Sequence, residues 1–195
     1  FKKPHIINRL VYTFFRDSKA KKSYDYSIRI GQFTPQPIGY IEFYESGLIS
    51  SSYFISEMFE YDFTIREPLL DRNFPDKEEV LKTFARFTFN LHEHHIFHQD
   101  YSPGNILIKK NGSEYIFKVV DINRMQFLPL DIDQRLKNFS KLWMKDEDLK
   151  TVAKEYASLI NIHEVDAEAK ALRYSHAHKA RINLKKRLKG IEVVD

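Results

Sequence analysis

An acid and an amide stand five positions apart in one short loop of this sequence. Asp100 and Asn105 fall within His98-Gln99-Asp100-Tyr101-Ser102-Pro103-Gly104-Asn105, which has apolar residues on both sides. A second acid, Asp121, ends another apolar run further along. Transfer of a phosphoryl group needs one carboxylate to accept a hydroxyl proton, and an amide and a second carboxylate to hold Mg²⁺. The spacing therefore predicts phosphoryl-transfer chemistry.

Short strands are expected to hold these residues. Residues 96–98 and 106–108 read as strands, Asn111-Gly112 is a strong hairpin-turn signal, and 115–120 reads as the returning strand. Asp121 is then expected to emerge near the loop that carries Asp100 and Asn105. The helix before the loop is the clearest of the chain. Its predicted cap is Asp76, Glu78 and Glu79 suit its first turn, and its apolar face is Val80, Phe84, Phe87 and Leu91.

The first third of the chain predicts one helix and two strands. Residues 1–15 are basic and aromatic, and we interpret them as a strand end and a connection. Ser18 is the expected cap of a helix over 19–31 that ends at Gly31. Two strands, 37–43 and 51–58, follow around a turn at 45–47. The predicted face of the helix is Ala20, Tyr24, Ser27 and Ile28.

The last third is predicted to be helical, over 131–143, 147–161 and 164–189. Strands therefore precede a mainly helical region, which indicates an α+β protein rather than an alternating parallel sheet. The composition changes near residues 59–62, which places a domain boundary there and gives domains 1–60 and 61–195. The expected core residues of the predicted helices 131–143 and 147–161 are Ile132, Leu136, Phe139, Leu149, Val152, Tyr156 and Leu159.

Composition bounds the other classes of function. The 195 residues are 43% hydrophobic, enough for a substantial core, and contain no cysteine, so that a disulfide framework and a thiolate site are excluded. No signal peptide opens the chain and no apolar run is long enough to cross a bilayer. The net charge of +4 is concentrated at the two ends, where an anionic partner or plain solvent are both reasonable neighbours.

The loop also resembles that of a known class of enzymes. The runs 98–107 and 120–125, the helix start Ser18–Asp25 and the segment 34–39 are similar to the bacterial lipopolysaccharide core kinases of the Kdo/WaaP type. The resemblance covers about residues 15–130. It implies a two-lobed protein-kinase-like fold with a mainly helical large lobe and a small lobe truncated at its N-terminus. The implied activity is ATP- and Mg²⁺-dependent phosphorylation of a sugar hydroxyl of lipopolysaccharide core, a Kdo or heptose.

The resemblance assigns roles position by position. Asp100 would be the catalytic base, and Asn105 and Asp121 would hold Mg²⁺ on the nucleotide. Asp25 would match the helix carboxylate that pairs with a phosphate-binding lysine, and Ser102 would contact phosphate or only turn the loop. The hinge would be 56–59, where the carbonyl of Glu57 and the amide of Phe59 would bind adenine.

Several departures separate the chain from regulated protein kinases. Gln99 replaces the arginine that senses activation-loop phosphorylation, and Asp121-Ile122-Asn123 stands where Asp-Phe-Gly is usual. No Ala-Pro-Glu follows. This indicates an ungated kinase, although an atypical protein kinase stays open. Arg124 would either neutralise phosphate or pair with an acid.

A phosphate-clamping glycine loop and a strand lysine are not recognisable before the helix that carries Asp25. If the resemblance holds, both are expected upstream of Phe1. The competing interpretation is a pseudokinase or nucleotide-binding scaffold, and the intact set of Asp100, Asn105 and Asp121 speaks against it.

The histidine cluster at 92–98 and the basic run 179–189 each have a structural interpretation beside a functional one. Among His92, His94, His95 and His98, only His94 and His98 have the i, i+4 spacing of a zinc pair, across a helix-to-strand break, and no carboxylate pattern completes the site. His98 is instead expected to brace the loop by hydrogen bonds. The basic run 179–189 is expected to be a solvated helix end or a peripheral contact with anionic lipid. The expected location is the cytoplasm, at the inner face of the inner membrane, with nucleotide and glycolipid as partners and no nucleic acid.

Overall fold

A computed structural model describes residues 6–191, and the side chains of residues 9–191. Its helices are α1 (Ile6–Phe14), α2 (Lys19–Ile30), α3 (Arg66–Leu70), α4 (Lys77–Glu93), α5 (Ile132–Asn138), α6 (Asp146–Ile160) and α7 (Glu164–Arg187). Its strands are β1 (Pro37–Glu45), β2 (Leu48–Ser56), β3 (Phe63–Thr64), β4 (Ile96–His98), β5 (Ile106–Asn111), β6 (Glu114–Val119) and β7 (Met125–Phe127). No helix of this described part is long and apolar enough to cross a membrane.

The chain forms two compact units. Unit 1 contains the residues up to Glu60 together with Lys118–Met125, and unit 2 contains Tyr61–Phe117 together with the residues from Gln126 onward. The boundary therefore passes through β6 and again through β7. The identification of the units with the lobes of a kinase stays a prediction.

Unit 1 is built on the antiparallel hairpin of β1 and β2, against which α2 packs. The predicted hairpin is confirmed, with Ser46 and Gly47 in its turn at positive φ. The helix α2 is also confirmed, because the Ser18 side chain accepts a bond from the backbone N–H of Lys21. Gly31 ends the helix at a positive φ of 54°, which glycine adopts at little cost. α2 also contacts the 3₁₀ turn Ile122–Arg124, which directly follows Asp121.

Two expectations for unit 1 were wrong. The segment interpreted as a strand end and connection forms α1 over Ile6–Phe14, and Phe1–His5 lie outside the described residues. Apolar residues recur there at helical spacing, and α1 is fixed to β2 by a bond from Arg9 Nε to the carbonyl of Ile49 (3.0 Å). On α2, Ile28 is 59% exposed, because the buried face is instead Ala20, Ser23, Ser27 and Ile30.

Unit 2 packs its helices around a core rich in aromatic rings. α4 contacts α6, and α7 contacts both α5 and α6. Phe84 of α4 is fully buried and lies 5.8–6.2 Å, between ring centroids, from Tyr101, Phe117 and Phe139. The predicted α4, α6 and α7 and the strands β4 to β6 are all confirmed.

Two details of unit 2 differ from prediction. Asp76 precedes α4 in the left-handed region, at φ 54°, and its side chain does not cap the helix. Its carboxylate instead pairs with Lys110 Nζ at 2.9 Å and accepts a bond from Tyr115. Of the expected core residues, Ile132 is 41% exposed at the first turn of α5, whereas Leu136 is fully buried.

Candidate active site

The predicted catalytic loop of unit 2 is closed by its own hydrogen bonds. The carbonyl of Asp100 accepts bonds from the backbone N–H of Ser102 (2.7 Å) and from Asn105 Nδ2 (2.9 Å). Ser102 in turn precedes a 3₁₀ turn, Pro103–Asn105, whose last N–H donates to the Ser102 carbonyl (3.0 Å). The structure therefore brings Asp100, Ser102 and Asn105 together in one tight loop.

This bonding fixes which end of the Asn105 amide is available. Since Nδ2 donates within the loop, the oxygen Oδ1 is the free end, and a carbonyl oxygen is a ligand that Mg²⁺ accepts. The Asp100 carboxylate has no hydrogen bond or ion pair to any residue in 9–191. A half-buried carboxylate without a partner is free to accept a proton from a bound hydroxyl.

A chain of buried hydrogen bonds holds the loop from behind. Tyr156 OH bonds His92 Nδ1 (2.7 Å), His92 Nε2 bonds Asn138 Oδ1 (3.1 Å), and Asn138 Nδ2 donates to the carbonyl of His98 (3.1 Å). The His98 ring then accepts the backbone N–H of Asp100 at Nδ1 (3.1 Å). We call Tyr156, His92, Asn138 and His98 the brace. The brace links α6, α4 and the end of α5 to Asp100, the predicted catalytic base.

The directions in the brace follow from the donors. Asn138 donates through its nitrogen, so its oxygen must accept from His92 Nε2–H, and His92 Nδ1 accepts from the tyrosine hydroxyl. His92 is therefore neutral. Burial lowers its pKa from the usual 6.5 to about 4, although the bond to Asn138 opposes the shift. Burial also raises the pKa of Tyr156 to about 12, which keeps its hydroxyl proton in place.

The histidine cluster is accounted for by this bonding. Both ring nitrogens of His92 are used within the brace, and His94 Nδ1 bonds the carbonyl of Asn90 at 2.8 Å. The expectation that His98 braces the loop is confirmed. Within residues 9–191 no group of three His, Asp or Glu side chains is arranged to hold a metal ion.

Further contacts of the loop were not predicted from sequence. Tyr101 is fully buried, and its hydroxyl donates to Thr88 Oγ1 (2.7 Å), because the Thr88 hydroxyl itself donates to a carbonyl of α4. Lys141 Nζ donates to the carbonyl of Gln99, directly before Asp100. Arg66 lies against Gly104. These partners are between 13 and 42 positions away in sequence, so no local pattern signals them.

The remaining predicted site residues belong to unit 1. Asp121 follows β6 in the left-handed region (φ 55°), is exposed, and accepts a bond from Asn123 Nδ2 at Oδ1. Asp25 is exposed on α2 and pairs with Lys21 Nζ at 3.4 Å, an ordinary i, i+4 contact. Among the described residues, Asp25 does not pair with a lysine from a strand, as the kinase resemblance would require. The proposed role of Asp25 as the partner of a phosphate-binding lysine stays a prediction.

A cavity of about 400 Å³ in unit 1 lies beside the predicted hinge. Its lining includes Glu57 and Phe59, together with Lys118, whose ammonium group donates to the carbonyl of Gln32. Burial lowers the pKa of Lys118. The N–H of Glu57 donates to the carbonyl of Gln36 (2.8 Å), so that group is not available to a ligand. The roles of the Glu57 carbonyl and the Phe59 amide stay predictions.

Comparison with known proteins gives the fold. No family model and no curated protein sequence matches the chain. Among solved structures, WaaP in complex with acyl carrier protein is similar at a TM-score of 0.56 and 18% identity, over 82% of this chain and 76% of that one. A Rio2 kinase–ADP/Mg²⁺-phosphoaspartate complex from Chaetomium thermophilum matches at a TM-score of 0.44 and 16% identity, over 88% of this chain and 51% of that one.

The chain is therefore an α+β protein with a protein-kinase-like fold. Its resemblance to the lipopolysaccharide core kinase WaaP, first indicated by sequence motifs, is confirmed at the level of structure. At 18% identity this likeness establishes the fold and leaves the substrate open.

Proposed function

We propose that this protein is an ATP- and Mg²⁺-dependent phosphotransferase that phosphorylates a sugar hydroxyl of bacterial lipopolysaccharide core, a Kdo or a heptose. The observation that carries the proposal is the loop of Asp100 and Asn105. In a kinase-like fold, the Asp100 carboxylate has no partner among residues 9–191, and the Asn105 amide bonds through its nitrogen, which leaves its oxygen for a ligand. This is the arrangement that phosphoryl transfer uses.

Asp100 would orient the acceptor hydroxyl and accept its proton. The backbone of this residue is held at both its N–H and its carbonyl, so its carboxylate is presented from a fixed position. Fixed presentation places the hydroxyl oxygen for in-line attack and avoids reorganisation during the reaction.

Asn105 and Asp121 would hold the metal ion, and their chemistry fits Mg²⁺. Each offers an oxygen, because Asn105 donates through Nδ2 and Asp121 has only Oδ1 engaged by Asn123. Mg²⁺ usually takes one or two protein ligands and completes its shell with water and phosphate, so a larger acidic cluster is not required. When bound, Mg²⁺–ATP supplies the phosphoryl group and neutralises its charge.

The nucleotide would be bound through the Glu57 carbonyl and the Phe59 amide at adenine, and Ser102 would contact the phosphates. Asp25 would pair with the lysine that binds the phosphates. The alternative is a pseudokinase scaffold. The test is transfer of label from γ-labelled ATP to Kdo-lipid A, to a heptosylated core acceptor and to a generic protein substrate. Labelling of a sugar acceptor supports the proposal, whereas labelling of protein alone supports an atypical protein kinase. Mg²⁺–ATP that raises the melting temperature without any transfer indicates a scaffold.

We also propose that the protein works in the cytoplasm at the inner face of the inner membrane. The support is the end of α7, where the basic run 179–189 carries Leu184 and Leu188, 58% and 79% exposed. Lysine and arginine beside exposed leucine suit an anionic lipid surface. Sedimentation with vesicles that contain phosphatidylglycerol, and not with pure phosphatidylcholine vesicles, is expected. Equal binding to both, or to neither, contradicts this part of the proposal.

A further inference from the structure

The strand register of unit 2 places an arginine beside the catalytic loop. β3 pairs antiparallel with β5, with Phe63 opposite Ile108 and Thr64 opposite Leu107. The pairing continues one residue further, since the N–H of Ile65 donates to the carbonyl of Ile106 at 3.0 Å. The next residue in this register, Arg66, therefore falls beside the end of the loop that precedes β5. Its position is set by backbone bonds and not by a flexible connection.

The side chain of Arg66 covers Gly104. A Cβ atom added to Gly104 would lie 2.8 Å from Arg66 Nη2 and 3.5 Å from its Cζ, which is too close for the first contact. At the other five glycines an added Cβ would meet nothing within 4 Å. Gly104 separates Asp100 from Asn105 in sequence, so the guanidinium group lies on the segment that joins the predicted base to the predicted metal ligand.

The charge of this arginine is not used within the described structure. The guanidinium group has no ion pair or hydrogen bond with residues 9–191, and the Arg66 side chain is exposed. The neighbouring acid, Glu67, is occupied elsewhere, since its carboxylate accepts bonds from the backbone N–H of Thr64 (2.9 Å) and from its hydroxyl (2.6 Å). The other cation at the loop, Lys141, is directed to the Gln99 carbonyl.

We propose that Arg66 binds an oxyanion of the acceptor, and that the acceptor is therefore a sugar carrying a carboxylate, Kdo rather than heptose. This inference rests on the proposed function and narrows its substrate. The planar guanidinium fork matches a carboxylate through two parallel N–H···O bonds. Bound in this way beside Asp100, an acidic sugar would present a neighbouring hydroxyl to the base. The proposed Mg²⁺ would neutralise the nucleotide phosphates, and the other cation at the loop, Lys141, is bonded to the Gln99 carbonyl, so Arg66 is the side chain left to bind an anionic acceptor.

Three variants of the full-length protein test the proposal. Arg66→Met removes the charge and the fork but keeps a long apolar stem. Gly104→Ala keeps Arg66 in the sequence but displaces its guanidinium group, because the added methyl group would clash with the far end of this flexible side chain. Arg72→Met is the matched control, since Arg72 is an exposed arginine six positions further on in the loop after α3.

The kinetic readout compares KM values for the methyl glycoside of Kdo, a methyl heptoside and ATP. Arg66→Met is expected to raise the KM for the Kdo glycoside about 10- to 100-fold, the effect of a lost charge-assisted hydrogen bond, with a smaller change in kcat. Gly104→Ala is expected to raise it in the same direction. The KM for ATP and all values of Arg72→Met are expected to stay within about twofold of the wild type.

Binding measured without turnover separates this inference from the proposed function. Calorimetric titration of the Kdo glycoside into the wild type is expected to give binding that Arg66→Met weakens. If binding and its dependence on Arg66 hold but no phosphate is transferred, the proposed function fails, whereas recognition of the sugar carboxylate by Arg66 stands. An increase in the KM for ATP alone would assign Arg66 to the nucleotide and overturn the inference. Absence of wild-type binding to the Kdo glycoside, or no effect of Arg66→Met, would also overturn it.

Discussion

Replacing His92 by glutamine removes the ionisable ring from the centre of the brace. His92 is 1% exposed, and burial lowers its pKa from 6.5 to about 4 in the native protein. As pH falls, the unfolded chain takes up a proton on this histidine first, because its unfolded pKa is the higher one. Folding stability that is fully present above about pH 6.5 is therefore lost as pH falls toward 4.

The size of the effect follows from the two pKa values. The difference between 6.5 and about 4, at about 1.4 kcal/mol for each pKa unit, gives a loss of about 3 kcal/mol in the free energy of unfolding at pH 4. Glutamine cannot take up this proton. We therefore expect His92→Gln to be less stable than the wild type at pH 7, by about 1–2 kcal/mol for an imperfectly satisfied brace. The difference should shrink or reverse at pH 4.

Urea unfolding at pH 7, 6, 5 and 4 measures how the free energy of unfolding of the wild type and of His92→Gln depends on pH. Carboxylate protonation acts on the wild type and on the variant alike, so the difference between their free energies of unfolding isolates His92. His163→Gln is the matched control, because His163 is exposed. Parallel curves for the wild type and His92→Gln between pH 7 and pH 4 would refute the assignment of a neutral, buried His92.

Three other changes test the packing and the loop. Phe84→Ala should lower the free energy of unfolding by about 3–5 kcal/mol, as measured by urea unfolding, because it empties the centre of the aromatic core. Tyr101→Phe should cost about 1 kcal/mol in the same assay, since it removes one buried hydrogen bond and little volume; no loss would contradict that bond. Asn105→Asp removes the donor to the Asp100 carbonyl and should lower kcat at least about 100-fold, whereas the exposed Asn73→Asp should not.

Local chemistry made the elements of the site predictable. Ser18 and Gly31 bound α2 with the side-chain and backbone contacts that their types favour. The hairpin signal at Asn111-Gly112 falls at the turn between β5 and β6, because β5 ends at Asn111 and Gly112 follows at φ 63°. The spacing of Asp100 and Asn105 was similarly informative, because the bond between them closes within five residues.

Local chemistry failed where a distant partner decides the outcome. Asp76 has the type and position of a helix cap, but Lys110, 34 residues away, takes its carboxylate. α1 was missed because its basic and aromatic composition obscured a helical repeat, and its anchor on β2 lies 40 residues away. Propensity is a weak signal beside such tertiary contacts.

The brace could not be predicted for the same reason. His92 bonds residues that are 46 and 64 positions away, and neither Asn138 nor Tyr156 stands in a motif. The sequence shows four histidines within seven residues, 92–98, and predicted a bracing role for His98 but no partner for His92. The position of Arg66 could not be predicted either, since only the pairing of β3 with β5 brings this residue to the loop.

The most direct test of the central claim is phosphotransfer by Asp100→Ala and Asp121→Ala in the full-length protein. Each variant is mixed with γ-labelled ATP, Mg²⁺ and Kdo-lipid A, and the labelled sugar is counted, with melting curves to verify the fold. Loss of a positioned base costs about 10²- to 10⁴-fold, and loss of a metal ligand should abolish turnover as well. The account predicts that the wild type labels the acceptor and that neither folded variant does. Undiminished transfer by either one would contradict it.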